Sequence, residues 1–252
     1  MKNIITKKHI AFTLAETLIV MAVIGIVSAL TLPNLNSSTN NKEKVAKVKK
    51  IYQNLNDAFG RAEAVYGPID TWFTNTSCID FGNATNKPCS KRLAERITEF
   101  MKLSKICEFD QTGCFSNNTY KTRDGDSTVL NPKISYKYKI LTADGTSLSF
   151  ELTGKNCSYN ERLEGECAII GIDIDGPTKG PSIRGIDTFY FYFTKNGIAF
   201  IDYEPRLNDL FQKGIYADSW IIKNENMDYL KADSSGKCPN GTQLSETVTS
   251  CN

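Results

Sequence analysis

Histidine is almost missing from this chain of 252 residues; the single one is His9. That scarcity removes Ser-His-Asp and Cys-His nucleophile schemes and histidine-ligated zinc, because each needs an imidazole beside its partners. No Walker-type loop or dinucleotide fingerprint is present. Carboxylate-pair chemistry is the catalytic class left standing, and no spacing singles out a pair. The chain reads as a non-enzyme. Strong net charge is lacking too, at a formal +2. Three leader lysines (Lys2, Lys7 and Lys8) supply that excess, so the rest is nearly neutral and makes no electrostatic case for nucleic acid.

Cysteine is well represented. Cys78, Cys89, Cys107, Cys114, Cys157, Cys167, Cys238 and Cys251 are even in number and all follow the N-terminal apolar run. None forms a Cys-x-x-Cys pair. With so little histidine, this favours disulfides in an oxidising compartment over zinc. Four bridges allow roughly a hundred connectivities. Pairing of sequence neighbours is the simplest: 78–89, 107–114, 157–167 and 238–251. The last would staple a polar tail that lacks apolar anchors.

The N-terminus combines a short Lys-bearing leader, ending Lys7-Lys8-His9-Ile10-Ala11, with the run Phe12-Thr13-Leu14-Ala15-Glu16 through Leu32-Pro33. Phe12 to Leu32 is 21 residues, about 31 Å of helix, the span of a hydrocarbon core. Glu16 is out of place there, since a charge at mid-membrane costs roughly 2.5–3.5 kcal/mol or more. Gly25 permits close backbone approach, and Pro33 removes a donor and permits a kink. An ordinary signal peptide cleaved near Ser28-Ala29 and a plain signal anchor are the two competing readings. The positive-inside rule is discordant, because Lys42, Lys44, Lys47, Lys49 and Lys50 lie on the far flank.

These residues closely resemble the N-terminus of type IV prepilins and type II secretion pseudopilins. The resemblance implies peptidase cleavage between Ala11 and Phe12, and methylation of the new Phe12 amine. It also implies pairing of Glu16 with the Phe12 amine of a neighbouring subunit, which would set filament register. Ala11 stands where the family usually has Gly. The likeness covers about the first tenth of the chain. The implied organisation is a leader over 1–11, a transmembrane and assembly helix over 12–33, an amphipathic continuation over 34–67 and an extracytoplasmic head over 68–252. The implied partners are other pilin subunits, a prepilin peptidase, an inner-membrane platform with its ATPase, and membrane lipid. The implied location is the bacterial inner membrane as a single-pass precursor, then a cell-surface or periplasmic filament. A membrane-anchored or secreted disulfide-rich binding protein that forms no filament is the alternative.

Beyond Pro33 the spacing of Val45, Val48, Ile51, Leu55, Phe59, Ala62 and Val65 predicts an amphipathic helix stopped by Gly67-Pro68. The polar stretch 34–41 could cap or interrupt it. The Lys cluster at 42–50 reads as a solvated face, or as a contact for anionic headgroups. Trp72 and Phe73 should plug the core. A second helix is expected from about Lys91 to Ile106. Strands are expected over 133–141, 147–152, 168–174, 187–194 and 198–203, with hairpin turns at 143–145 and 195–197. The fold class is α+β: a long N-terminal hydrophobic helix on an antiparallel sheet, with a disulfide-rich head.

One loop has ligand-like chemistry. Asp173-Ile174-Asp175-Gly176 opens like a calcium loop, and Asp187 could add a third carboxylate. Against calcium, the twelfth position from Asp173 is Arg184 and Lys179 adds the wrong sign. The plainer reading is a turn-rich loop whose Asp side chains cap turns.

Overall fold

The computed structural model describes residues 14–73, 78, 86–127 and 131–251. The chain divides into two compact units, Met1–Lys42 and Glu43–Asn252. Helix α1 is assigned over Leu14–Tyr66. The assignment includes Gly25, Pro33 and the polar stretch 34–41.

In the first unit the helix is apolar around its circumference. Leu14, Leu18, Ile19, Val20, Met21, Val23, Ile24, Ile26 and Val27 are all exposed, from 53% to 81%. The expected hydrophobic span laid on a sheet needs correcting. No helix among the described residues is long and apolar enough to cross a membrane. The stretch 39–66, 28 residues long, carries ionisable groups along its length, among them Lys44, Lys50, Asp57 and Arg61.

In the second unit the amphipathic part of α1 provides the sheet-packing face. Val45, Val48, Ile51, Leu55, Phe59 and Ala62 are buried at helical spacing. Val65, expected on the same stripe, is 61% exposed; the stripe ends one turn early, where the chain turns at Gly67. Phe59 stacks on Phe193 at 4.8 Å between ring centroids, and Tyr52 meets Phe191 edge-on at 5.8 Å. Trp72 and Phe73 are buried, as expected, after a 3₁₀ turn over Ile69–Thr71.

Helix α2 is Lys87–Thr98. It begins and ends earlier than the sequence suggests, because Leu103–Glu108 is strand β1. The remaining strands are β2 (Tyr138–Thr142), β3 (Ser147–Leu152), β4 (Glu166–Asp173), β5 (Thr188–Thr194) and β6 (Gly197–Ala199). They form one antiparallel sheet in the order β1-β2-β3-β4-β5-β6. Two helices follow, α3 (Leu207–Lys213) and α4 (Ala217–Asn224). Neither is expected from the sequence, because both are too short to carry a readable period.

Register explains how each sheet face is used. Leu148, Ile172 and Phe189 align across β3, β4 and β5, as do Phe150, Ile170 and Phe191. These rows belong to the main core. The alternate rows carry Ser149, Gly171 and Tyr190, and Glu151, Ile169 and Tyr192. They are covered as well: β3, β4 and β5 are buried at every position. Charges on this second face are therefore paired. Lys137 meets Glu151 at 2.9 Å, and Arg162 grips Glu166 through two bonds of 2.6 and 3.1 Å.

The four disulfides join Cys78–Cys89, Cys107–Cys114, Cys157–Cys167 and Cys238–Cys251, the sequence-neighbour pairing. Each closes a loop with a separation of 7 to 13 residues. Loops that short restrict the unfolded chain by about 2.5–3 kcal/mol each. Their number fits an extracytoplasmic, oxidising location.

Candidate functional site

The loop between β4 and β5 gathers the three aspartates singled out from sequence. Asp173 ends β4. Its Oδ1 accepts the backbone N–H of Asp175 and of Gly176, each at 3.1 Å, and its Oδ2 accepts the Tyr120 hydroxyl at 2.6 Å. Asp187 closes the loop. Its Oδ2 accepts the Ser182 N–H at 2.8 Å and its Oδ1 that of Ile183 at 2.7 Å. Gly180 has φ +83°, and a Cβ there would sit 2.2 Å from Asp187 Oδ2. The loop can wrap its carboxylate only because that residue is glycine.

Asp175 faces helix α1. Lys47 Nζ lies 3.2 Å from one of its oxygens and Lys44 Nζ 3.9 Å from the other. Lys44 is buried and also acts electrostatically on Asp187. Lys50 pairs with Asp144 at 2.8 Å, and Lys49 with Glu225. The Lys cluster, read from sequence as a solvated face or a lipid contact, is thus turned in large part toward acids of its own unit. Only Lys42 of the five is without an ion pair among the described residues.

Burial dominates the electrostatics. It pushes the Asp173 carboxyl up to about 7, against the pull of the Tyr120 hydroxyl and with a further push from nearby Asp187. Burial also raises Asp187, partly offset by the amides of Ile183 and Ser182. Asp218, at the start of α4, is likewise pushed up to about 7 by burial, with Arg184 acting the other way.

This arrangement does not suit calcium. A hard cation needs several free oxygens, and those of Asp173 and Asp187 already accept protein donors. The Lys44 ammonium stands 3.9 Å from Asp175 and acts electrostatically on Asp187, already supplying positive charge to the loop. Among the described residues no group of three or more His, Cys, Asp or Glu could hold a metal ion. The loop's chemistry is that of a fastener joining β4, β5 and α1, which is the turn-capping reading extended to the helix.

The residues to which the prepilin resemblance assigns processing and assembly lie elsewhere. Ala11 and Phe12 fall outside the described residues, so cleavage and methylation have no structural counterpart here. Glu16 lies within α1. Thr17 Oγ1 donates to the Leu14 carbonyl at 2.9 Å. Around them the nine exposed apolar side chains form a surface that water does not favour. A helix apolar on every side is ordinarily covered by other protein or by lipid.

No family model, no curated protein and no solved structure matches this chain.

Proposed function

We propose that this protein is a structural subunit of a type IV pilin-like or pseudopilin-like filament, polymerised through its N-terminal helix. The observation that carries the reading is the run of nine large apolar side chains between Leu14 and Val27, each more than half exposed. Fully burying one such side chain is worth about 1.5–3 kcal/mol. Copies of the same helix, packed side by side, would cover one another. Glu16 then has a purpose: paired with the Phe12 amine of a neighbour, it would permit one axial offset and disfavour others. The prepilin resemblance supports this, with a prepilin peptidase and an inner-membrane platform with its ATPase as the implied partners. The four disulfides support an extracytoplasmic location for the second unit.

The test is the N-terminal residue and its mass in protein from native cells. A chain starting at Phe12, with or without an added methyl group, supports processing for assembly. A start beyond about residue 28, or retention of Met1, would overturn the reading. Glu16→Ala should in addition abolish sedimentable filaments while leaving the disulfide-bonded unit folded.

A further inference from the structure

A cavity of about 240 Å³ opens between the Cys107–Cys114 loop and the segment leading into β2. Phe109 and Phe115 border it, as do Lys133 and Lys139. Neither lysine has a carboxylate partner among the described residues. The Lys133 ammonium donates to the carbonyls of Asn118 at 2.6 Å and Asn117 at 3.3 Å. Lys139 donates to the Phe109 carbonyl. Lys139 is only 6% exposed, and each ammonium carries three N–H donors. Lys139 therefore has donor capacity left over at the cavity wall. One acid, Asp110, borders the cavity, and Lys87 already engages it at 3.3 Å. Counting Lys87, three cations face one carboxylate.

Buried charges in folded proteins are normally paired. The other two buried lysines among the described residues follow that rule: Lys137 has Glu151 and Lys44 has Asp175. Lys139 departs from it, and the half-buried Lys133 borders the same cavity, likewise without an ion pair. Desolvation lowers the pKa of both, for Lys139 against the pull of Asp110 and with a further push from Lys87. The backbone positions them. Lys139 lies in β2, and the disulfide loop offers it the Phe109 carbonyl.

From this geometry we infer that the cavity is a binding site for a small oxyanion, a carboxylate or phosphate group held between Lys133 and Lys139. The Ser135 and Asn117 residues that also border the cavity add neutral polar groups to its wall. The rings of Phe109 and Phe115 make the remaining wall apolar, so an anionic head on a partly apolar molecule suits it. This inference does not depend on filament assembly.

The experiment is a chemical-shift titration of the ¹⁵N-labelled full chain with inorganic phosphate and, separately, with acetate, at constant ionic strength balanced by chloride. Saturable shifts confined to residues 109–117 and 133–139 are expected with at least one of the two. The anion that saturates first distinguishes a phosphate source from a carboxylate source. Lys133→Gln should weaken that binding about tenfold or more. Lys195→Gln, on the β5–β6 turn, should leave it unchanged and serves as the folded control. Shifts that never saturate, or equal loss in both variants, would overturn the inference.

Discussion

The Tyr120 hydroxyl donates to Asp173 Oδ2 at 2.6 Å across a buried contact, 53 residues apart in sequence. This bond carries more than its own energy, because Asp173 also holds the turn that starts the β4–β5 loop. Tyr120→Phe keeps the ring and deletes the donor. It should cost about 1–3 kcal/mol in urea unfolding, with the greater loss at pH 8, where the carboxylate most needs its donor. An equal loss at pH 5 and pH 8 would contradict the assignment.

Stability should also depend on pH in a direction opposite to ordinary acid denaturation. Asp173 and Asp218 are pushed up to about 7 in the folded chain, whereas an unfolded aspartate titrates near 3.9. Folding therefore favours the protonated form. The contribution is complete below about pH 4 and is lost as pH rises through about 7, a change on the order of 4 kcal/mol per group. Asp144, Asp202 and Asp228 are shifted downward and lose stability at the acid end. The urea midpoint should peak at mildly acidic pH and fall toward pH 8. Asp218→Asn should flatten the alkaline side.

Removing Asp175 would leave Lys44 buried beside the loop without its nearest acid. Asp175→Ala should cost about 3 kcal/mol. Lys47→Ala should cost less than about 1 kcal/mol, because Lys47 is only half-buried, unlike Lys44, and pairs open to solvent contribute little. A double-mutant cycle over Lys44 and Asp175, read by chemical denaturation, should return a larger coupling than one over Lys47 and Asp175.

Gly180→Ala should destabilise by about 2 kcal/mol or more, combining a positive φ with the collision at Asp187. Gly25→Ala, at a position where an added methyl group would meet nothing within 4 Å, should not destabilise the isolated chain. Thermal unfolding of the two variants side by side checks the contrast.

In the core, Phe59→Ala should cost about 3–5 kcal/mol, since it empties the stack on Phe193. Val65→Ala should stay within about 0.5 kcal/mol despite lying on the same apparent stripe. Calorimetry on both tests whether the packed face ends before Val65.

Much of the sheet is legible in the sequence because its alternation is strong: Ser147–Leu152 matches the observed strand, and the Asn196-Gly197 turn joins β5 to β6. The disulfides are legible because neighbour pairing happens to be the pairing formed. Leu103–Ile106 reads as the end of a helix from sequence alone, since Leu103 continues the helical spacing of Leu93, Ile97 and Phe100 until a neighbouring strand claims it. Pairing of β1 with β2 is a tertiary fact. Lys44 and Lys47 mislead for a similar reason. Their partner Asp175 is more than 120 residues away in sequence, and no local pattern announces it. The Lys133–Lys139 cavity escapes a reading of the sequence because its signal is a missing counter-charge, visible only once burial is known.

The disulfide pairing has a consequence for how the chain matures. Every bridge joins a cysteine to the next one along the sequence, and none encloses another. A chain delivered N-terminus first into an oxidising space could therefore close each bond as soon as the second thiol of a pair emerges. Vectorial oxidation alone would then reach the right connectivity among roughly a hundred. Refolding from a fully reduced chain offers all the thiols at once and should produce scrambled isomers that need thiol exchange to resolve.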